Sequence, residues 1–129
     1  MRIETGVVAL VILMIGLAPA ARAGDPRGQA EYWRYCSACH GEAADGNGPV
    51  ANVLTPRPPA LTNLGPRFGR PLSTNLVAYI MGKTMPRAHG ASDMPVWGRD
   101  LAEPDGNDTK AVQIIWKIVD YLQTLQPTE

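Results

Sequence analysis

Several features that would identify a class of protein are scarce or absent in this sequence. Only 6% of its 129 residues are aromatic, with a single Phe, and the net charge is +0. There is no internal repeat, and the basic residues are not interleaved with aromatic ones, which gives no indication of nucleic-acid binding. The apolar stretch Val7–Leu17 is shorter than the roughly 20 residues that a membrane span needs.

The N-terminal residues have the layout of a secretory signal peptide. Arg2 lies near the start, the apolar stretch follows, and Ala21-Arg22-Ala23 provides a small-x-small cleavage site. We therefore expect cleavage after Ala23, which makes residues 1–23 a signal peptide; an uncleaved membrane anchor is the alternative. The remaining residues, 24–129, are enough for one domain with a modest core.

The two cysteines of the chain lie close together, in the run Cys36-Ser37-Ala38-Cys39-His40. This spacing is the attachment signature of c-type haem. Two thiols one helical turn apart can reach the two vinyl groups of one porphyrin, and the next residue offers its imidazole to the iron. We therefore expect one covalent haem c, held by Cys36, Cys39 and His40, with His40 as an iron ligand.

Three other interpretations fit the pentapeptide less well. A disulfide between Cys36 and Cys39 would close a very short loop and would not require His40. A thioredoxin-like dithiol needs a βαβ context, whereas helix-forming residues precede Cys36. A zinc site that adds His89 would require the adjacent Cys39 and His40 to bind one tetrahedral ion, which is poor geometry.

The apolar pattern predicts about three main helices, long loops and no strand. The first helix starts at Asp25-Pro26, with Asp as N-cap and Pro at the first helical position, and continues to Tyr35. The second is capped by Ser73 or Thr74 and ends at Gly82.

The third predicted helix starts near Asp108 or Thr109 and stops before Pro127. Its apolar stripe is wide, which predicts contacts with both another helix and the haem. The remaining stretches, 41–72 and 83–107, are predicted to be loops, the first because it is rich in Gly and Pro.

A second iron ligand is expected further along the chain, and we choose Met94. Pro95 favours an extended backbone at Met94, which can present a thioether to a fixed point. Sulfur ligation raises the reduction potential relative to a second imidazole. Met85, which also precedes a proline, is the main rival, and His89 would give bis-histidine iron. Met81 lies on the predicted helix face and is expected in the core.

In their order along the chain, these motifs resemble those of the small monohaem class I cytochromes c. The matching residues are Cys36-x-x-Cys39-His40, Gly48-Pro49, Met94-Pro95, and Gly28 and Tyr32 on the first helix with Ile118 and Tyr121 on the last. The resemblance covers nearly all of residues 25–126. It implies an all-α fold of helices and loops wrapped around the haem, with the first and last helices crossing at a glycine and aromatics.

The resemblance also implies that the protein transfers electrons and is not an enzyme. It further implies that the haem is attached outside the bacterial cytoplasm, in the periplasm. In this family a proline carbonyl accepts a hydrogen bond from the proximal histidine; Pro49 is nearest in spacing, and Pro59 is the alternative. Two other functions stay open. One is a haem-based ligand-binding or sensor cytochrome with an open or His-ligated distal site, and the other is a cytochrome subunit of a dehydrogenase or oxidase complex.

The charges are unevenly distributed along the chain. Residues 57–99 carry six basic side chains and one acidic one, or +5, while residues 100–129 carry two basic and six acidic ones, or −4. Because the basic segment contains the proposed Met94 loop, we expect redox partners to dock through an acidic face. An ordinary solvated surface is the alternative.

Overall fold

The computed structural model describes residues 26–84 and 94–128. These residues form α-helices and one short 3₁₀ helix, Ala51–Val53, and none of them lies in a strand. The α-helices are α1 Pro26–Tyr35, α2 Ser37–His40, α3 Gly65–Phe68, α4 Thr74–Ile80, α5 Trp97–Asp100 and α6 Thr109–Thr124. The described part of the chain is therefore all-α, as predicted. The proposed signal peptide, the Asp25 cap, Met85 and His89 lie outside the described residues.

Helices α1, α4 and α6 are the three that the sequence predicts. At the start of α4 the Ser73 hydroxyl accepts a hydrogen bond from Asn75 N at 3.3 Å. At its end Gly82 adopts a φ of +78°, which favours glycine because a side chain is strained there. Helix α6 starts at the predicted position, with Asp108 as its N-cap residue. The Asp108 side chain makes no capping hydrogen bond; instead the side chain of the preceding Asn107 accepts from Thr109 N at 2.9 Å.

Helices α3 and α5 lie in stretches that the sequence predicts to be loops. Each is four residues long, which is too short to show a helical repeat of apolar residues. Both are stabilised by tertiary contacts. In α3, Phe68 is buried and packs edge-on against Tyr79 of α4. In α5, Gly98 packs closely on the end of α4, since a Cβ at Gly98 would lie 2.6 Å from Met81 O.

The core forms where α6 packs against α1, α4 and α5. The fully buried side chains Ile115, Ile118, Val119 and Leu122 all belong to α6. Tyr32 of α1 is also fully buried, and its ring lies 5.3 Å from the ring of Tyr121, between centroids. The first and last helices therefore meet at an aromatic pair. Met81 is buried in the same core, as predicted.

Helix α6, with 16 residues, is the longest helix in the described part of the chain. None of the described helices combines the length and the hydropathy that crossing a membrane requires.

Two segments that carry predicted site residues pack against the core. One is the end of α1, which leads into the cysteine motif, and the other is the Met94 segment, which leads into α5.

Candidate functional site

The cysteine motif continues directly from α1. Cys36 N donates to Tyr32 O at 2.8 Å, and His40 N donates to Cys36 O at 2.9 Å, so helical hydrogen bonds run through the junction with α2. This local geometry sets Cys36 and Cys39 one turn apart. Both cysteines are free thiols and half-buried. The backbone thus places the two cysteines one helical turn apart, the spacing on which the haem-attachment prediction depends.

The imidazole of His40 is buried and has a defined partner. Its Nδ1 lies 2.9 Å from the carbonyl oxygen of Pro59. Because a carbonyl can only accept, Nδ1 carries the proton and donates it, and Nε2 keeps its lone pair in the neutral ring. A histidine in this tautomer can bind a metal through Nε2. The acceptor is Pro59, so the nearer candidate by spacing, Pro49, is not the proline that His40 contacts.

A glycine allows the Pro59 carbonyl to approach His40. Gly46 has a φ of +81°, and a Cβ at this position would lie 2.7 Å from Pro58 O and 3.2 Å from Pro59 C. Gly46 N also donates to His40 O at 2.8 Å. The loop after the motif therefore fits between His40 and the proline-rich segment only without a side chain here. This role of Gly46 was not predicted, although the run Asp45-Gly46-Asn47-Gly48 is typical of a turn.

The same loop returns along the other side of the motif. Gly48 N donates to Cys39 O at 3.3 Å, and Val50 N donates to Ala38 O at 3.1 Å. Gly48 is buried, and a Cβ there would overlap the Ala38 carbonyl and lie 2.6 Å from Cys39 C. Gly48 therefore lets the loop pack directly against the backbone of the cysteine motif.

Burial and hydrogen bonds shift the pKa values of three groups in and around the cysteine motif. Burial raises the pKa of the Cys36 thiol to about 12, with a smaller contribution from Cys39, so this thiol is protonated near neutral pH. The Tyr32 hydroxyl donates to Gly41 O at 2.7 Å, and burial raises its pKa far above the ordinary value. Asp45 is exposed, and hydrogen bonds from the side chain and backbone of Asn47 lower the pKa of its carboxyl group.

The Met94 segment is connected to the cysteine motif through an aromatic pair. Trp97, three residues after Met94, packs edge-on against Tyr35, the residue before Cys36, with ring centroids 5.6 Å apart. Met94 itself is half-buried and packs against the core. The segment is also held against the end of α4, because a Cβ at Gly82 would lie 2.7 Å from Val96 Cγ1.

Part of the predicted charge asymmetry is cancelled by ion pairs. Lys83 of the basic segment pairs with Asp108 of the acidic segment at 3.1 Å, and Arg99 pairs with Asp100 at 3.0 Å. Both pairs are largely exposed, where ion pairs contribute little to stability.

Another basic side chain of residues 57–99 contacts aromatic rings. The guanidinium of Arg67 lies over the rings of Phe68 and Tyr79, at 5.1 and 4.8 Å from their centroids.

The described residues offer the donors for a haem but not for a metal ion bound by side chains alone. In residues 26–84 and 94–128, no group of three or more His, Cys, Asp or Glu side chains could hold a metal ion. A haem would need only His40 from this set as an iron ligand, with the two thiols bonded to the porphyrin. The chain matches no protein-family model, no curated protein and no solved structure.

Proposed function

We propose that this protein is an exported one-electron carrier of the cytochrome c kind, with one covalent haem c and His/Met iron ligation. The observation that carries the proposal is the His40–Pro59 hydrogen bond in the Cys-x-x-Cys-His motif. That bond commits Nδ1 as a donor and leaves Nε2 available for iron, while the two neighbouring thiols are free. A disulfide or a thioredoxin-like dithiol gives no reason for this arrangement of His40.

Each chemical task of such a carrier then has its own residue in the chain. Cys36 and Cys39 would hold the haem by adding S–H across its two vinyl groups, which forms two thioethers without net oxidation. His40 would bind the iron through Nε2, and Met94 would be the second ligand. When bound, the haem supplies the iron that cycles between the ferric and ferrous states. The chain transforms no substrate in this role and is not an enzyme by itself.

The position of the motif suits electron exchange with other proteins. Ala38, between the two cysteines, is exposed, and the cysteines themselves are half-buried. The buried imidazole of His40 and the two half-buried thiols would hold a haem at a segment of the chain that reaches the surface. The donor and acceptor would be redox proteins of the periplasm, the compartment to which a signal peptide at residues 1–23 would export the chain.

The test is whether one haem is bound covalently. The full chain is expressed in a bacterium that attaches c-type haem, and the exported protein is denatured, reduced and weighed. We expect the mass of one haem on the polypeptide and a spectrum that survives denaturation. Haem that extracts into acidic organic solvent would show that it is not covalently held and would refute the proposal.

Three variants locate the attachment. Cys36→Ala and Cys39→Ala should each leave at most one thioether and reduce the yield of the coloured protein. Ser37→Ala is the matched control inside the motif, because it removes only the hydrogen bond from the Ser37 hydroxyl to Trp33 O. Ser37→Ala should carry the haem at the same stoichiometry as the unchanged protein.

A further inference from the structure

The residue that follows α6 by two positions is tied to a distant loop. Gln126 is buried, with 8% of its surface exposed. Its Oε1 accepts from Leu64 N at 2.7 Å, and its Nε2 donates to Leu61 O and to Leu122 O, both at 2.8 Å. This one side chain therefore connects the C-terminal end of α6 to the segment that follows Pro59.

Leu61 connects that segment to the cysteine motif. Its N–H donates to Ala44 O at 2.7 Å, and its C=O accepts from Gln126. Two residues earlier, the Pro59 carbonyl accepts the proton of His40 Nδ1. The backbone of Leu61 is thus held from both sides, by the loop after the motif and by Gln126, at a point next to the acceptor of His40.

We propose that Gln126 is a positioning residue for His40, which acts through Leu61 by holding the Pro59 carbonyl where it accepts the imidazole proton. This inference rests on the proposed function, in which His40 binds the haem iron. Without the Gln126 amide, the half-buried Leu61 carbonyl and the buried Leu64 N–H would lose their partners, and the segment would shift to satisfy them. A weaker bond from Nδ1 makes the imidazole a poorer electron donor, so the ferric state is less favoured and the reduction potential rises.

The chain offers a matched control for this effect. Gln123 lies one turn earlier on α6, and its Oε1 accepts from Leu72 N at 2.5 Å. Gln123→Met therefore removes a hydrogen bond between the end of α6 and Leu72, which lies further along the chain from Pro59 than Leu61 and Leu64 do. Gln126→Met removes the bonds next to Pro59 with the same replacement side chain. The two variants are compared in the full chain after their unfolding stabilities have been measured.

Two readouts separate positioning from general stability. The first is hydrogen exchange of the His40 Nδ1–H, followed by NMR in the reduced protein, and the second is the reduction potential. We expect exchange about tenfold faster in Gln126→Met than in Gln123→Met, the effect of losing a buried hydrogen bond, and a raised potential only in Gln126→Met. Equal exchange rates and equal potentials in the two variants would overturn the proposal.

A measurement on the unchanged protein covers the case in which Gln126→Met does not fold. If Gln126 and Pro59 act as one unit, the Leu61 and Leu64 amides and the His40 Nδ1–H should exchange with one opening constant. Opening of His40 alone, with both amides still protected, would contradict the inference. Exchange at His40 is measurable with or without haem, so a chain that lacks covalent haem would refute the proposed function and still decide the role of Gln126.

Discussion

Gly28 of α1 packs directly on the backbone of Lys117 in α6. A Cβ at Gly28 would overlap the Lys117 carbonyl oxygen and lie 3.1 Å from Tyr121 Cβ. The obstacle is backbone of a long helix, which a change of rotamer cannot relieve. The absence of a side chain at Gly28 therefore sets how closely the first and last helices approach, and with it the position of Tyr32 and of the cysteine motif that follows.

Gly28→Ala should destabilise the protein, although alanine is the better helix former. In an exposed helix the change would stabilise by about 1 kcal/mol, but overpacking against a fixed backbone costs ~1–3 kcal/mol. We expect the free energy of unfolding to fall by about 2 kcal/mol, the upper range of these effects. Chemical denaturation measures it. Ala30→Gly, at an exposed position of the same helix, is the control and should lose only the propensity term; a Gly28→Ala variant more stable than the unchanged protein would contradict the close approach.

Tyr32 should make the protein sensitive to alkaline pH. Its pKa is raised above the ordinary value of 10.0, first by burial and then by Cys36. Above pH 10.0 the unfolded chain releases the phenol proton while the folded chain retains it, so stability falls with rising pH by up to about 1.4 kcal/mol per pH unit. The contribution is fully present below pH 10.0. Thioether formation at Cys36 would remove the contribution of Cys36 and leave burial, the largest cause, in place.

Tyr32→Phe should remove this alkaline slope and also the hydrogen bond to Gly41 O. Because Gly41 is buried, the loss should cost about 1–2 kcal/mol at neutral pH. Denaturation midpoints at pH 7 and pH 11 measure both effects. Tyr35→Phe, at a half-buried ring, is the control and should retain the slope. The same slope in Tyr32→Phe would assign the alkaline transition to another group.

Met94→Ala should abolish the weak far-red absorption band of thioether-bound ferric haem and lower the reduction potential. The reason is that sulfur favours ferrous iron relative to the ligands that would replace it. Met85→Ala is the matched control, at the other methionine that precedes a proline, and should leave both properties unchanged. The reverse result would make Met85 the ligand. A band unaffected by either change would direct attention to His89 or to an open site, and the sensor function would then be favoured.

Electron exchange with an acidic redox protein should slow as the salt concentration rises, because exposed charges are screened beyond about 10 Å at 0.1 M. Arg99→Glu, at a largely exposed side chain in the segment that contains Met94, should slow association more than it changes the potential. Lys117→Glu, an equal change of charge at the crossing of α1 and α6, is the control. Stopped-flow rates across a salt series measure the effect. A rate independent of salt would identify these side chains as an ordinary solvated surface.

The motif and the main helices could be predicted because their information is local. Cys36, Cys39 and His40 lie within little more than one turn, so their spacing can be read directly from the sequence, and covalent haem is the ligand that this spacing predicts. Helix α4 has a capping residue, Ser73, and helix α6 has an apolar repeat long enough to define a face. Neither property depends on distant parts of the chain.

The contacts that orient the site depend on residues far apart in the chain, and spacing could not select them. The chain folds back so that Pro59 rather than Pro49 meets His40, because Gly46 lets the two backbone segments approach. Gln126 reaches Leu61 from the opposite end of the domain. Hydrogen bonds of this kind form between groups that nearly every residue carries, so only packing of the whole chain selects the partners. The local pattern thus predicts the chemistry of the motif, and long-range packing decides which groups contact it.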